Sequence, residues 1–576
     1  MNLNSLRHWR VRRAPAVSFL RRMAAVLSPA VATALYHRGL RRVSDIKAFL
    51  EPSFDDARQD FWLLPDMKKA VARLKKARQN QEKIGVFGDY DADGVSGTAL
   101  LLGLMDALGL KAQHYLPDRE HDGYGLKKAA LKEFADSGVR MVISVDCGTS
   151  NVAEVVYANQ LGLDVIILDH HEAPTKLPPA VAVVNPKRLG SRYPFRDLSG
   201  TGVAFEFAAA VEQTLRAEVK FPTAWLKWQL DLVALATVAD RMPLLGLNRI
   251  LVTFGLKVLS KTRRPGLRAL VDVCGLTNRK LTATDVGFAL APRLNAAGRM
   301  DHANLALYLL RSHDPAQAHG FAVRLQEQNQ ARQRLVERLV REIVSRQDLL
   351  PRTPELISAI DQSWPKGVLG IVASKLVERY QRPALVAQKG AKETVASGRS
   401  LAGYDLIAGI KRQAKLLLNF GGHTFAAGLT VGNKNYSRMI KNLEQDVLTH
   451  RAVQPDAATE MLIDAEVKPE DLKPALFKDT LRIGPFGDAN PVPLFLLKGA
   501  SITQRRLVGQ SKNHLQFFIE AGESIYKAMA FNGARSCPES VFKPGARVDI
   551  VFEPMVNEWQ GQEFYELRII DLRIAV

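Results

Sequence analysis

The sequence predicts an α/β protein: a lobe on a mostly parallel sheet, a long connecting helix, a second α/β lobe and a small C-terminal β-barrel. Three observations predict it. Between Lys83 and about Asp240, runs rich in Val, Ile and Leu at 83–87, 141–145, 165–168 and 181–184 alternate with helical patterns at 95–108, 126–135 and 152–161. Such alternation builds a parallel sheet covered on both faces. Over 321–343, Leu325, Leu335, Leu339 and Ile343 share one side of a helix otherwise rich in Arg and Gln, a spacer before a lobe with strands near 356–360 and 384–387. After about Thr459 the period falls to two, with Leu515, Phe517 and Ile519 alternating against Gln516, Phe518 and Glu520. Further β-rich runs at 547–552 and 564–570 complete the pattern of a small OB-like barrel.

Length and composition bound the function. A chain of 576 residues exceeds what one hydrophobic core serves. The reading divides it into a basic N-terminal arm with helices (1–75), the first α/β lobe (76–270), a connecting helical region (271–350), the second lobe (351–455) and the barrel (456–576). Hydrophobic content of 47% and charged content of 24% describe a folded soluble chain. No run approaches the ~18 apolar residues that cross a bilayer, so no membrane partner is expected. Cys147, Cys274 and Cys537 are far apart and form no C-x-x-C pair, which speaks against disulfides and structural zinc and fits a reducing cytoplasm. With Lys and Arg at 79 against 59 Asp and Glu, the net charge of +20 favours a polyanionic partner, nucleic acid ahead of membrane. Residues 1–42 carry Arg7, Arg10, Arg12, Arg13, Arg21, Arg22, Arg38, Arg41 and Arg42 with no Asp or Glu. A transit peptide and a basic arm both fit that pattern; the unbroken run into helical sequence favours the arm.

Four segments carry chemistry. Asp89, Asp91 and Asp93 lie in Gly88-Asp-Tyr-Asp-Ala-Asp-Gly94, directly after a predicted strand. Asp146 and the triplet Asp169-His170-His171 also follow strands, and Asp240 ends a predicted helix. Each alone reads as a turn or a structural histidine. Together, at one edge of a parallel sheet where functional groups gather, these carboxylates and imidazoles would repel or lie desolvated without a cation. Oxygen and imidazole donors suit Mn²⁺, with Mg²⁺ next and zinc behind. Two ions sharing one carboxylate could activate water and hold a phosphodiester.

The order G-D-Y-D-A-D-G, V-D-C-G, D-H-H and V-A-D resembles the four motifs of the DHH phosphoesterase superfamily. That resemblance makes Asp91, Asp93, Asp146, His170 and Asp240 the metal ligands of a two-ion site, with Asp146 shared. It gives His171 a contact to the scissile phosphate or a supporting role, and makes Asp89 and Asp169 further catalytic candidates. Several relatives place a histidine where this chain has Phe87, so the resemblance implies a first site either completed by Asp89 or weaker than in those relatives. They also often have Trp-His where this chain has Trp364-Pro365, so no role for that histidine carries over.

The resemblance extends over nearly the whole chain, to Pro117-Asp-Arg119, Asp122-Gly-Tyr-Gly-Leu126, Pro292–Met300, Gly367–Ala373, Ser397-Gly-Arg-Ser400 and Gly421-Gly-His423. It therefore implies a DHH lobe, a DHH-associated second lobe and the large nuclease branch of the superfamily. The implied substrate is single-stranded DNA with a 5′ end, degraded 5′ to 3′ to mononucleotides in recombination and repair. A single-strand-binding protein and a helicase are its implied partners. Guanidinium forks and a hydroxyl suit phosphate, so Arg119, Arg299, Ser397 and Arg399 are candidates for a 5′-phosphate pocket, with Arg293 weaker. Gly421 and Gly422 allow close backbone approach, and His423 is a candidate substrate contact. Among barrel aromatics, Trp559, Phe564 and Tyr565 are candidates to stack on bases. The rival readings are a phosphodiesterase of short or cyclic nucleotides, and a non-catalytic scaffold, which retention of every acidic motif residue disfavours.

Overall fold

The computed structural model describes residues 8–55, 60–119, 122–350, 352–451, 460–509, 512–534, 537–559 and 561–575. They fall into two compact units, one of residues 58–242 and 246–453, the other of 1–57, 243–245 and 454–576.

The first lobe of the larger unit is built on a five-stranded sheet in the order Ala112–Tyr115, Lys83–Gly88, Val139–Val145, Asp164–Leu168, Ala182–Val184, parallel throughout. Its central strands are buried along almost their whole length, as β-branched runs covered on both faces should be. Three of them end immediately before Asp89, Asp146 and Asp169, so the parallel topology alone delivers the acidic motifs to one edge. The edge strand Ala112–Tyr115 was absent from the sequence reading; it is four residues long and carries Gln113 and His114, so it lacks an apolar run.

The connecting helix is longer than its apolar stripe suggested, Pro315–Gln347, starting on a proline at its first turn under an Asp314 cap. It leads to a second five-stranded sheet in the order Leu417–His423, Ala426–Gly432, Glu393–Arg399, Ala384–Lys389, Ile357–Asp361. Only the last two strands pair parallel; the rest are antiparallel. Trp364, 2% exposed, packs in the core between this sheet and the Lys366–Tyr380 helix, and Pro365 caps that helix.

In the smaller unit, Phe495–Val508, His514–Ala521, Ser524–Ala530, Gln562–Ile574 and Arg547–Trp559 pair in that order, and the last closes back on the first. The result is a five-stranded barrel without free edges. The sequence reading set residues 1–75 apart as a basic arm with helices. Instead His8–Val11 pairs parallel with Glu460–Ile463, and Phe19, Met23, Val31 and Leu35 share one core with Phe477, Phe495, Phe517 and Phe552. The apolar faces of the short N-terminal helices are what the basic composition hid. Arg7 lies outside the described residues. No described helix is long and apolar enough to cross a membrane.

An ion pair between a buried carboxylate and a solvent-reaching guanidinium ties two helices of the second lobe together. Asp446, 7% exposed, accepts from Arg412 Nε and Nη2 at 2.6 and 2.7 Å and from the Tyr404 hydroxyl at 2.7 Å. Burial works against its charge, but Arg412 and Tyr404 outweigh it and hold the carboxyl below the usual range. A lowered carboxyl stabilises the fold above its unfolded value, and that contribution is lost as pH falls through the folded one. Asp446→Ala should therefore cost about 2 kcal/mol near neutrality, with the gap to wild type narrowing below about pH 4 in chemical denaturation series.

Candidate active site

The acidic motifs converge in one pocket of the first lobe. Asp91 caps the Ala92–Leu108 helix, accepting from the backbone N–H groups of Asp93 and Gly94 at 2.9 and 3.1 Å. Asp93, 1% exposed, is fixed by a second helix: Gly200 N–H and Thr201 N–H, opening Gly200–Leu215, donate to its two oxygens, each at 2.7 Å. Two helix N-termini thus lend partial positive charge to neighbouring carboxylates. Asp146 adopts the left-handed region at φ 63° while its N–H bonds Leu168 O at 3.0 Å, so a strained residue sits where two strands end. Gly200 makes this possible. A Cβ there would lie 2.6 Å from Asp146 Cβ.

Three groupings of donor atoms result: Asp89, Asp91 and Asp146; Asp93, His170 and Asp240; Asp146, His170 and His171. Asp146 joins the first to the third, and its Oδ1 stands 3.1 Å from His170 Nε2. Burial, then Asp93, Asp91, Asp89 and Asp240, push the Asp146 carboxyl well above the usual range. Burial and Asp91 do the same to Asp89, and burial with Asp93 raises Asp240 to about 8. Burial lowers His170. Asp89 Oδ1 and His170 Nδ1 are buried without a hydrogen-bond partner. Carboxylates so destabilised as anions, with unpartnered donor atoms among them, fit hard divalent cations.

Asp169 and His171 are placed differently. Asp169, 1% exposed, accepts from Thr149 N–H, His170 N–H and His171 N–H, and its Oδ1 lies 2.8 Å from His171 Nδ1. Although burial opposes its charge, the His171 bond and the two imidazoles hold its carboxyl below the usual range. Burial would lower His171, yet its bond to Asp169 and the charges of Asp169, Asp240 and Asp89 raise it to about 9. Asp169 therefore stands behind the imidazole as its anchor. Tyr124, quoted in a motif but not singled out as a site, places its hydroxyl 3.0 Å from His171 Nδ1 and 3.2 Å from Asp146 O. Asn185, also missed, donates to His171 O at 2.9 Å. Phe87 is fully buried and stacked on Tyr115, so the position where relatives carry histidine belongs to the core.

Basic side chains collect beside this cluster. The Arg119 guanidinium lies 4.8 Å from the centre of the Tyr90 ring. Arg299, on Ala291–Met300, donates to Gly367 O at 2.9 Å. Arg399 donates to Ser397 Oγ and Gly398 O. Both Ser397 and Arg399 press on the Lys366–Tyr380 helix at Gly370, where a Cβ would lie 2.6 Å from Arg399 Nη2 and 2.9 Å from Ser397 Oγ. No ion pair to a carboxylate is present for Arg119, Arg299 or Arg399 among the described residues. Arg293 instead bonds Gln326 Oε1 and Ala289 O. Sheet register sets His423, Ala426 and Arg399 in one row and, two residues along, Gly421, Gly428 and Ser397 in another. A Cβ on Gly421 would meet nothing within 4 Å and one on Gly428 only a carbonyl at 3.9 Å, so a bare strip of backbone adjoins Ser397. Gly422 and His423 are exposed on the edge strand.

Family models match the same regions: the DHH family N-terminal domain at residues 83–237, the DHHA1 domain at 353–448 and the RecJ OB domain at 463–571. The single-stranded-DNA-specific exonuclease RecJ of Dickeya dadantii is 33% identical over 561 residues, covering 94% of this chain and 95% of that protein. RecJ of Bacillus subtilis is 34% identical over 551 residues, covering 95% of this chain and 68% of that one. The chain belongs to the RecJ family. The crystal structure of Thermus thermophilus RecJ in complex with Mn²⁺ superposes with a TM-score of 0.82 at 30% identity, covering 99% of this chain and 80% of that one. The same protein with Mg²⁺ gives 0.75 at 29% identity, covering 99% and 79%. RecJ membership accounts for the combination of both α/β lobes with the barrel.

Two outcomes follow from the crowding at Asp146. Asp146→Asn should raise the melting temperature of metal-free protein, because a buried like charge is removed, while abolishing the upward shift that added Mn²⁺ gives wild type. Gly200→Ala should abolish the Mn²⁺ shift without the gain. A normal Mn²⁺ shift in either variant, read by differential scanning fluorimetry, would contradict the shared role of Asp146.

Proposed function

We propose that this chain degrades single-stranded DNA from a 5′ end to mononucleotides, with two divalent cations, Mn²⁺ or Mg²⁺, in its carboxylate and histidine cluster. One observation carries the reading: destabilised carboxylates lie beside guanidinium groups that have no carboxylate partner. Cations on the carboxylates and an anionic substrate on the guanidiniums satisfy both together. The relatives named single-stranded-DNA-specific exonucleases support the substrate and the exonucleolytic mode. The near full-length match, barrel included, leaves the short-nucleotide phosphodiesterase without a favouring observation.

Asp89, Asp91 and Asp146 would hold one cation, and Asp93, His170 and Asp240, with Asp146 shared, the other. Cations bound there activate water as nucleophile and neutralise the phosphodiester oxygens. The chain's own groups do the remaining work. Asp169 and Tyr124 engage His171 Nδ1, which leaves the other ring nitrogen to donate to the scissile phosphate. Ser397, Arg399 and Arg119 take the 5′-terminal phosphate by charge-assisted bonds. The glycine strip lets the nucleotide approach the sheet, and His423 contacts it from the edge. Anchoring the terminal phosphate sets the next linkage at the cations, which gives 5′ to 3′ polarity.

The barrel offers the downstream strand a grip. Register aligns Arg506, Gln516, Met529 and Arg568 in one row and Gln504, Phe518, Lys527 and Glu566 in the next. Arg506 lies 5.6 Å from the Phe518 ring and Arg568 5.7 Å from Phe531, so these are the stacking candidates. Tyr565 is turned against Phe477, with centroids 5.1 Å apart, and the Trp559 side chain lies outside the described residues. A helicase and a single-strand-binding protein, which expose and present such strands, are the partners this substrate implies.

DNA labelled at either end tests the reading. With Mn²⁺, 5′ label should leave first as mononucleotide, from single strands far faster than from duplex, and EDTA should stop it. Rapid loss of 3′ label, or preference for dinucleotides, would overturn it. Arg399→Ala should lose most of the preference for 5′-phosphorylated over 5′-hydroxyl ends, about tenfold or more; an unchanged preference removes Arg399 from the pocket.

A further inference from the structure

The second sheet ends on an open edge. Ile357–Asp361 pairs parallel with Ala384–Lys389 on one side and with no described strand on the other. Ile357 N–H donates to Pro383 O at 2.9 Å, so Ile357, Ala359 and Asp361 turn their main-chain groups inward, while Ser358 and Ile360 turn theirs to the open side. Ser358 O is met there by Gln347 Nε2 at 3.3 Å, a side-chain amide standing where a peptide group of a neighbouring strand would stand. Among the described residues nothing partners Ser358 N–H or either main-chain group of Ile360. Natural edges are commonly blunted by an inward charge, a proline or a bulge. Here the middle of the edge is Ser358-Ala-Ile360, in unbroken register.

The edge forms the floor of a groove of about 380 Å³ between two helices. Ile343, Arg346 and Gln347 of Pro315–Gln347 wall one side, and Tyr436, Ser437 and Ile440 of Asn433–His450 the other. Gln347 Oε1 and Tyr436 Oη are buried without a hydrogen-bond partner, so the walls too are short of partners. Arg346 is paired with Glu342. Lys434 and Lys441, on the stripe of Asn433–His450 that holds Ser437, are exposed and in no ion pair among the described residues. The rim therefore carries uncompensated positive charge above an apolar floor.

We propose that this edge docks an extended acidic segment of a partner protein, which adds as a sixth strand beside Ser358 and Ile360. Main-chain bonds to those two residues set its register. Its alternate side chains lie against Ile343 on one face and against Tyr436 and Ile440 on the other. Acidic residues of the segment answer Lys434 and Lys441. The flanking helices leave room for one isolated chain. That disfavours a second copy of this protein pairing edge to edge, since the copy would bring its own two helices.

A blocked peptide of three valines with two glutamates at each end is the probe, added to the full chain at about 1 mM. Hydrogen exchange read by mass spectrometry should slow over residues 356–361 by about twofold or more, the factor reached when ligand equals its Kd. The slowing should fade with salt. The same peptide with main-chain N-methyl groups on its valines, or with lysines in place of glutamates, should leave that segment unchanged. Ser358→Pro removes only an outward N–H, at an edge position that tolerates proline, and should abolish the protection at an unaltered melting temperature. Lys434→Glu with Lys441→Glu should transfer the preference to the lysine peptide. Absence of slowing over 356–361 with the glutamate peptide, equal slowing with the N-methylated one, or protection that survives Ser358→Pro would each overturn the docking edge. A concentration-dependent dimer without peptide, lost in Ser358→Pro, would assign the edge to a second copy instead.

Discussion

The structure turns on one electrostatic constraint: several carboxylates must be kept close together, mostly out of water, without expelling each other. Left alone they would protonate or unfold the pocket, as the upward displacement of Asp89, Asp146 and Asp240 indicates. The fold answers with backbone dipoles. Asp91 sits on the N-terminus of Ala92–Leu108, and Asp93 on that of Gly200–Leu215, whose first two N–H groups hold both its oxygens. These helices satisfy the outer lone pairs and leave the inner ones for cations. The arrangement sacrifices stability in the empty state for tight placement in the loaded one, a common trade at active sites.

The basic side obeys the mirror-image rule. A guanidinium cannot easily discharge its proton, so half-buried arginines without a carboxylate partner keep a standing demand for an anion. The helix Ala291–Met300 puts both demands in contact. Asn295 Oδ1 accepts from Ala92 N–H at 2.8 Å, Gly298 lets the helix lie against Tyr90 O, and Arg299 reaches Gly367 O across to the second lobe. Acidic turn and basic pocket are therefore referred to one rigid element. A small shift of this helix would misplace substrate relative to cations, and geometry of that kind is where much of the rate resides.

What the sequence made legible follows from how local each signal is. The parallel sheet was legible because four strands are short runs rich in Val, Ile and Leu, and three of the acidic motifs because each begins one residue past a strand. Ala112–Tyr115 was not, since an edge strand with Gln and His needs no apolar run. Ser199-Gly-Thr-Gly202 was overlooked, although a hydroxyl capping a helix amid glycines is a readable start signal; its importance lies in Gly200 meeting Asp146, a contact distant in sequence that no local pattern records.

Substrate choice can be traced to the same opposition of charges. Duplex DNA carries its phosphates on the outside of a stiff rod, at spacings that neither bend nor splay without cost. A basic group beside an acidic cluster, with a bare strip of sheet against which a nucleotide can lie, suits a backbone free to turn at its linkages. A single strand has that freedom.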